Sequence, residues 1–192
     1  MPIKRVIILF SGTGTNLENL IKKLHQKSFN HFKIEVVHAI TNNPKAKGIE
    51  KAKKLGIKTT IIDHKKFDSR ESFDKEVVNL INSLHVDLTI LAGFMRILTP
   101  IFTQNIKAIN IHPSLLPLFK GANAIDNSYY SDMKVAGVSV HEVSSGVDEG
   151  KIIDQGCFYK EDNLSIDQFE EKIHQIEYIL FPKAVIKVLS LN

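Results

Sequence analysis

The sequence predicts an α/β fold whose N-terminal half is built on a mainly parallel sheet and whose C-terminal part is antiparallel. Strand and helix signals alternate through the first hundred residues, as in a parallel sheet covered by helices. After residue 105 the pattern changes to strand segments spaced for a hairpin. At 192 residues, 43% of them hydrophobic, the chain suffices for one sizeable core, so we expect a single domain over residues 1–192.

The N-terminal half contains repeated strand and helix segments. Strand 6–10 is followed by a helix with one apolar stripe, formed by Leu17, Leu20, Ile21 and Leu24. Strand 33–40, a helix near 46–55 that Gly56 terminates, and a short strand 59–62 repeat this unit. Asp68 and Glu71 give a capping-box signal before a second striped helix, and the continuously apolar strand 86–92 is expected to be central.

The C-terminal part begins with strand 108–111, which runs into a proline-bounded loop. Segment 135–143 alternates like a half-buried strand, and segment 152–158 is placed to pair with it as a hairpin. Ser165 and Gln168 give a capping-box signal for a long last helix, which Pro182 is expected to kink or restart.

Composition excludes several classes of protein and favours small-molecule partners. The formal charge of +4 is mild, and the lysines of segment 45–54 lack the interleaved aromatics that stack bases, so we expect no nucleic acid partner. Apolar runs are too short to span a bilayer, so we expect no membrane partner. Cys157 is the only cysteine and is expected to be a buried thiol in a reducing, cytoplasmic protein.

The glycine-rich segment 11–16 lies between the first strand and the first helix. Such a turn can direct backbone N–H groups and a helix dipole at an anion. The dinucleotide fingerprint is absent, because Leu17 occupies its third glycine position, and a single phosphate fits better than a pyrophosphate. A tight turn that merely begins a helix explains the motif equally well.

Asn110 and His112 lie two residues apart on a predicted strand, so their side chains share one face. A histidine and an asparagine can donate to a developing oxyanion, and the histidine can also move protons. Asp148 lies in a turn between two strands. Structural roles explain all three residues when each is taken alone. A metal site built from His112, His141 and Asp148 matches no compact ligand spacing, so we expect no metal.

The chain resembles the phosphoribosylglycinamide formyltransferases over nearly its whole length. The resemblance begins in the loop at 11–16 and continues through Phe67-Asp-Ser-Arg-Glu71 and Leu91-Ala-Gly-Phe-Met-Arg-Ile-Leu98. It includes Asn110-Ile-His-Pro-Ser-Leu-Leu-Pro117 and ends with Glu177 and Pro182. It implies a Rossmann-like, three-layer formyltransferase fold.

The implied activity is transfer of the formyl group of 10-formyltetrahydrofolate to the glycinamide amine of 5'-phosphoribosylglycinamide, in purine biosynthesis. The resemblance assigns catalysis to Asn110, His112 and Asp148 and binding of the substrate phosphate to Gly14, Thr15 and Asn16. Glu177 matches a residue that contacts the glycinamide substrate. The folate-side matches are Arg70, Met95, Arg96, Ile97, Leu98, Ser144 and Val147. We expect a monomer or a homodimer.

One position departs from the family pattern. Asn123 stands two residues after Gly121, where a histidine is expected, and this stretch is more similar to methionyl-tRNA formyltransferases. Chain length favours a small acceptor, because that branch carries a large additional domain. The alternatives are a formyltransferase for another amine, such as an amino sugar, and a non-catalytic module that binds a phosphate ligand.

Overall fold

A parallel sheet forms the frame of residues 1–110. The computed structural model describes residues 1–29 and 31–191, and they divide into compact units 1–110 and 111–191. In the first unit the strands run in the order β2-β3-β1-β5-β6, with β4 paired to β3. Within the described residues they are β1 (Ile3–Phe10), β2 (Lys27–Phe29), β3 (Phe32–Thr41), β4 (Thr59–Ile61), β5 (Leu88–Leu91) and β6 (Ala108–His112). The β2–β3 pair is antiparallel and the other pairs are parallel, which confirms the predicted parallel half.

The central strand of this sheet is β1. Its residues 6–10 are all fully buried, and β1 pairs with β3 on one side and β5 on the other. A strand buried on both faces must be apolar throughout, which is the signal that the sequence carries there. The carboxyl ends of β1, β3 and β5 therefore lead into the loops that carry the polar motifs.

Among the described residues of the first unit, four α-helices follow these strands: α1 (Thr15–Leu24), α2 (Gly48–Lys54), α3 (Arg70–Ser83) and the short α4 (Pro100–Thr103). The predicted stripe of α1 is buried, as expected. The capping box of α3 was placed one residue too early, because Ser69 and Ser72 form it rather than Asp68 and Glu71. Both pairs have the required spacing, and only the backbone geometry distinguishes them.

The second unit contains the hairpin of β7 (Val135–Glu142) and β8 (Ile152–Tyr159), with the helices α5 (Ala124–Tyr130) and α6 (Ile166–Ser190). The two strands are antiparallel, which confirms the predicted C-terminal arrangement. The capping box of Ser165 and Gln168 begins α6, as predicted. The helix continues through the buried Pro182 without restarting.

Cys157 differs from its predicted environment, because its thiol is exposed. It lies in β8, where it shares the exposed face with Gln155 and Tyr159. The prediction rested on the usual burial of free cysteines, which the strand alternation overrides here. In residues 1–29 and 31–191, no helix is both long and apolar enough to cross a membrane.

The single domain over residues 1–192 remains a prediction. We expect one heat-capacity peak on thermal unfolding, with equal van't Hoff and calorimetric enthalpies, because single domains of this size usually unfold cooperatively. Differential scanning calorimetry measures both enthalpies. Two resolved transitions, or a stable fragment cut near residue 110 by limited proteolysis, would contradict a single domain.

Candidate active site

His112 ends β6, and its imidazole is almost completely buried, with 5% of the residue exposed. The ring lies between two oxygen acceptors. Its Nδ1 is 3.3 Å from Asp148 Oδ2, and its Nε2 is 2.8 Å from the carbonyl oxygen of Phe119. A carbonyl oxygen only accepts hydrogen bonds, so Nε2 carries a proton in this arrangement. A ring that also carried a proton on Nδ1 would donate to Asp148 at the same time.

Asp148 lies in the loop between β7 and β8, where its backbone has a φ of 52°. This left-handed conformation costs most residues about 1–2 kcal/mol, and aspartate is among those that tolerate it. The backbone N–H of Gly121 donates to Asp148 Oδ2 at 2.9 Å. Loop conformation and this hydrogen bond together direct the carboxylate at the imidazole.

His141 is a buried residue that the sequence did not assign to catalysis. It lies near the end of β7, with its Nε2 3.4 Å from Asp148 Oδ1 and its Nδ1 2.8 Å from the carbonyl oxygen of Glu142. Asp148 therefore lies between two imidazoles. A histidine at the end of an apolar strand, seven residues before a turn acid, was the available signal. This signal points to a contact between His141 and Asp148 only when the path of the loop between β7 and β8 is known.

The surroundings of Asp148 favour its carboxylate form. Burial alone would raise the pKa of Asp148, but the hydrogen bonds from His141 and the Gly121 N–H, with the charges of His112 and His141, lower it below its ordinary value. The group is therefore a negative partner for His112 throughout the neutral range. Among the described residues, no group of three or more His, Cys, Asp and Glu side chains is arranged to hold a metal ion. That the protein uses no metal stays a prediction.

Gly14 begins α1 in the left-handed conformation, with a φ of 70°. Thr15 and Asn16 follow it as the first two residues of α1, so their N–H groups lie at the N-terminus of the helix. A Cβ at Gly14 would lie 2.6 Å from the Cα of Gly48, so no larger residue fits. Substituting Gly14 would therefore displace α2 as well as alter the loop.

Ser11 connects this loop to the segment that follows β5. Its hydroxyl accepts a hydrogen bond from the Met95 N–H at 2.8 Å and donates one to Asn42 Oδ1 at 2.6 Å. Its own N–H donates to the Gly93 carbonyl at 3.0 Å. The predicted phosphate loop and the start of the predicted folate segment are thus held together within the first unit.

The other predicted site residues occupy five places, three in the first unit and two in the second. In the first unit, Met95 and Ile97 are exposed, and the Arg96 guanidinium lies 5.7 Å from the ring centroid of Phe73. Arg70 is the exposed first residue of α3, Leu98 is half-buried and Asn110 pairs with Leu91 in the sheet. In the second unit, Ser144 and Val147 lie in the loop of Asp148, and Glu177 is buried in α6.

Asn123, the departure from the family pattern, is the residue before α5. It has a φ of 59°, and its side chain is exposed. Asparagine is one of the few residues that adopt this backbone conformation readily. The local backbone thus accounts for asparagine at this position.

Comparison with known proteins identifies the family. The formyl transferase family profile matches residues 4–185. The chain belongs to the formyl transferase family. A crystal structure of phosphoribosylglycinamide formyltransferase from Campylobacter jejuni has 55% sequence identity and a TM-score of 0.95, and the match covers 97% of this chain and 98% of that one. These findings confirm the resemblance and the fold predicted from the sequence.

Two curated relatives of this formyl transferase differ in length. Phosphoribosylglycinamide formyltransferase of Bacillus subtilis is 30% identical over 192 residues, which are 99% of this chain and 97% of the relative. The trifunctional purine biosynthetic protein adenosine-3 of Gallus gallus is 40% identical over 189 residues. The match covers 97% of this chain but only 18% of the Gallus gallus protein.

Proposed function

We propose that the protein transfers the formyl group of 10-formyltetrahydrofolate to the glycinamide amine of 5'-phosphoribosylglycinamide. The products are formylglycinamide ribonucleotide and tetrahydrofolate. The 55% identity to the Campylobacter jejuni phosphoribosylglycinamide formyltransferase, over almost the whole of both chains, carries this proposal. We also propose that the protein is cytoplasmic and is a monomer or a homodimer.

The chemistry requires a donor for an oxyanion and a path for a proton. Attack of the amine nitrogen on the formyl carbon forms a C–N bond and leaves negative charge on the former carbonyl oxygen. The Asn110 amide and protonated His112 donate to that oxygen. The amine then loses its proton to Asp148 through a water molecule, and as the bond to the folate nitrogen breaks that nitrogen takes up the same proton from Asp148. The Asp148 carboxylate also stabilises the imidazolium of His112.

The binding roles follow from charge and exposure. The N-terminus of α1, with Gly14, Thr15 and Asn16, would bind the acceptor phosphate through N–H groups and the helix dipole. The exposed apolar side chains of Met95 and Ile97 suit the flat ring system of a folate. We assign Glu177 to binding of the glycinamide substrate. The remaining residues assigned to folate binding are Arg70, Arg96, Leu98, Ser144 and Val147.

The test of the proposed function is a product assay. We expect tetrahydrofolate to appear when the protein is mixed with 10-formyltetrahydrofolate and glycinamide ribonucleotide, and not when an amino sugar phosphate replaces the acceptor. Protein carrying His112→Ala, purified in the same way, controls for contaminating enzymes. Formyl transfer to the amino sugar alone, or acceptor binding in calorimetry without any transfer, would refute the proposal.

The phosphate loop gives a prediction about substrate affinity. Thr15→Ala removes one hydroxyl donor without disturbing the contact of Gly14 with Gly48. We expect it to raise the KM for the acceptor about tenfold and to leave the KM for the folate unchanged, because hydrogen bonds to charged groups contribute about 1.5–3 kcal/mol. Initial rates with each substrate varied measure both constants.

The matched control for Thr15 is Thr13→Ala, at an exposed threonine of the same loop. It should change neither KM. Equal effects of Thr13→Ala and Thr15→Ala on the acceptor KM would mean that the loop does not bind the phosphate through Thr15.

A further inference from the structure

His174 lies between two carboxylates on α6. Its Nδ1 is 3.0 Å from Oε2 of Glu177, one turn ahead, and its Nε2 is 3.4 Å from Oε1 of Glu170, one turn behind. The ring also stacks on Tyr178, with an interplanar angle of 16° and centroids 6.3 Å apart. Both ring nitrogens and one ring face therefore have partners, so the imidazole is held in one orientation.

Glu177 differs from the other carboxylates near His174 because it is buried. Only 5% of the residue is exposed, whereas about half of the Glu170 side chain is, at 51%. A buried carboxylate is costly unless it is paired and hydrogen-bonded. The imidazole supplies a charge-assisted hydrogen bond to one of the two oxygens and so restricts rotation of the carboxylate.

We propose that His174 is a positioning residue for the acceptor: by binding Oε2 of Glu177 it orients the carboxylate that contacts the glycinamide substrate. This inference rests on the proposed function, because the role of Glu177 does. His174 lies at the partly exposed side of the pair and acts on the acceptor through Glu177. Its loss should therefore weaken acceptor binding and leave the chemical step and the folate affinity nearly unchanged.

The same geometry makes the effect depend on pH. The hydrogen bond to Glu177 raises the pKa of His174, burial opposes it, and the charges of Glu177 and Glu170 add to the rise. The charged groups acting on the ring, Glu177 and Glu170, both belong to α6. Because the pKa of His174 is raised, the contribution of its imidazolium to holding Glu177 is complete at low pH. This contribution is lost as pH rises through the pKa of His174 in the folded protein.

Two substitutions separate positioning from simple packing. His174→Phe keeps an aromatic ring beside Tyr178 but removes both polar contacts, whereas His174→Gln keeps one N–H donor within reach of Glu177. The exposed neighbour Gln175 provides the control Gln175→Ala. Acceptor and folate KM, kcat and the acceptor dissociation constant are measured for each protein between pH 6 and about 9, with thermal unfolding as a check on folding.

We expect His174→Phe to raise the acceptor KM and dissociation constant about tenfold at low pH, with kcat and the folate KM within about twofold of the unsubstituted protein. His174→Gln should recover most of the affinity. The ratio of the His174→Phe to the unsubstituted KM should fall toward one at high pH; because it is a ratio, titration of the acceptor amine cancels.

Several results would overturn the inference. They are an unchanged acceptor KM in His174→Phe, an equal change in Gln175→Ala, or a parallel rise in both KM values with loss of thermal stability. Failure of the unsubstituted protein to formylate glycinamide ribonucleotide would refute the proposed function, and this inference with it. Normal transfer by the unsubstituted protein with an unaffected His174→Phe variant would refute the inference alone.

Discussion

Asp148→Asn is expected to lower kcat at least ~10²-fold while the dissociation constants of both substrates change little. Asparagine keeps the size of the side chain and can still accept the Gly121 N–H hydrogen bond. It removes the negative charge that lies between His112 and His141. Stabilisation of the imidazolium and acceptance of the amine proton both depend on that charge. Steady-state rates and equilibrium binding of each substrate measure the two effects separately.

Glu149 offers a matched control for this substitution. It is the next residue in the same loop, and its exposed carboxylate pairs with Lys120 at 3.0 Å. Glu149→Gln removes an equal charge, but exposed ion pairs contribute little, so turnover should stay within about twofold. Near-normal turnover in Asp148→Asn, or an equal fall in Glu149→Gln, would remove Asp148 from the mechanism.

His112→Ala is expected to lower kcat ~10²–10⁴-fold, because it removes one of the two oxyanion donors and leaves Asp148 without its imidazole partner. It should also lower the free energy of unfolding by about 1–3 kcal/mol, since Asp148 and the Phe119 carbonyl lose a buried partner. Turnover must therefore be corrected for the folded fraction, which circular dichroism measures during thermal unfolding.

His38 is the control for the loss of stability in His112→Ala. It is equally buried, at 6% exposed, and its Nε2 is 2.8 Å from the Thr60 hydroxyl. His38→Ala should cost comparable stability without loss of kcat per folded molecule. Equal losses of kcat in the two variants would indicate that His112 serves only the fold.

Hydrophobic periodicity predicted the sheet and its main helices because each depends on local sequence. The apolar run of β1 and the stripe of α1 are visible without any long-range information. The capping box of α3 was misplaced because Asp68 and Glu71 have the same spacing as Ser69 and Ser72. The short strand β2 illustrates the limit, because few residues carry its pairing and it was missed, whereas the equally short β4 was predicted.

The candidate site was predictable in part. Strand alternation placed Asn110 and His112 on one face from the residues alone, and the resemblance supplied Asp148. The contact of His141 with Asp148 was not predictable, because it depends on the path of a loop with left-handed backbone at Asp148. A hydrogen bond to a backbone carbonyl, such as that of Phe119, cannot be predicted from a pattern of residue types, because every residue carries a carbonyl.

Phe119 also has a left-handed backbone, with a φ of 54°, while its carbonyl oxygen accepts the His112 Nε2 proton. An aromatic residue pays about 1–2 kcal/mol for this conformation. The Phe119 carbonyl oxygen thus occupies the position at the imidazole that the substrate oxygen would take, and the backbone of Phe119 is strained in this arrangement. On the proposed function, the oxyanion would replace the Phe119 carbonyl oxygen as the acceptor of the Nε2 proton, so this hydrogen bond would be exchanged rather than lost. The protein without substrates would then be inactive because the Nε2 proton of His112 is already bound, although the catalytic groups are already aligned.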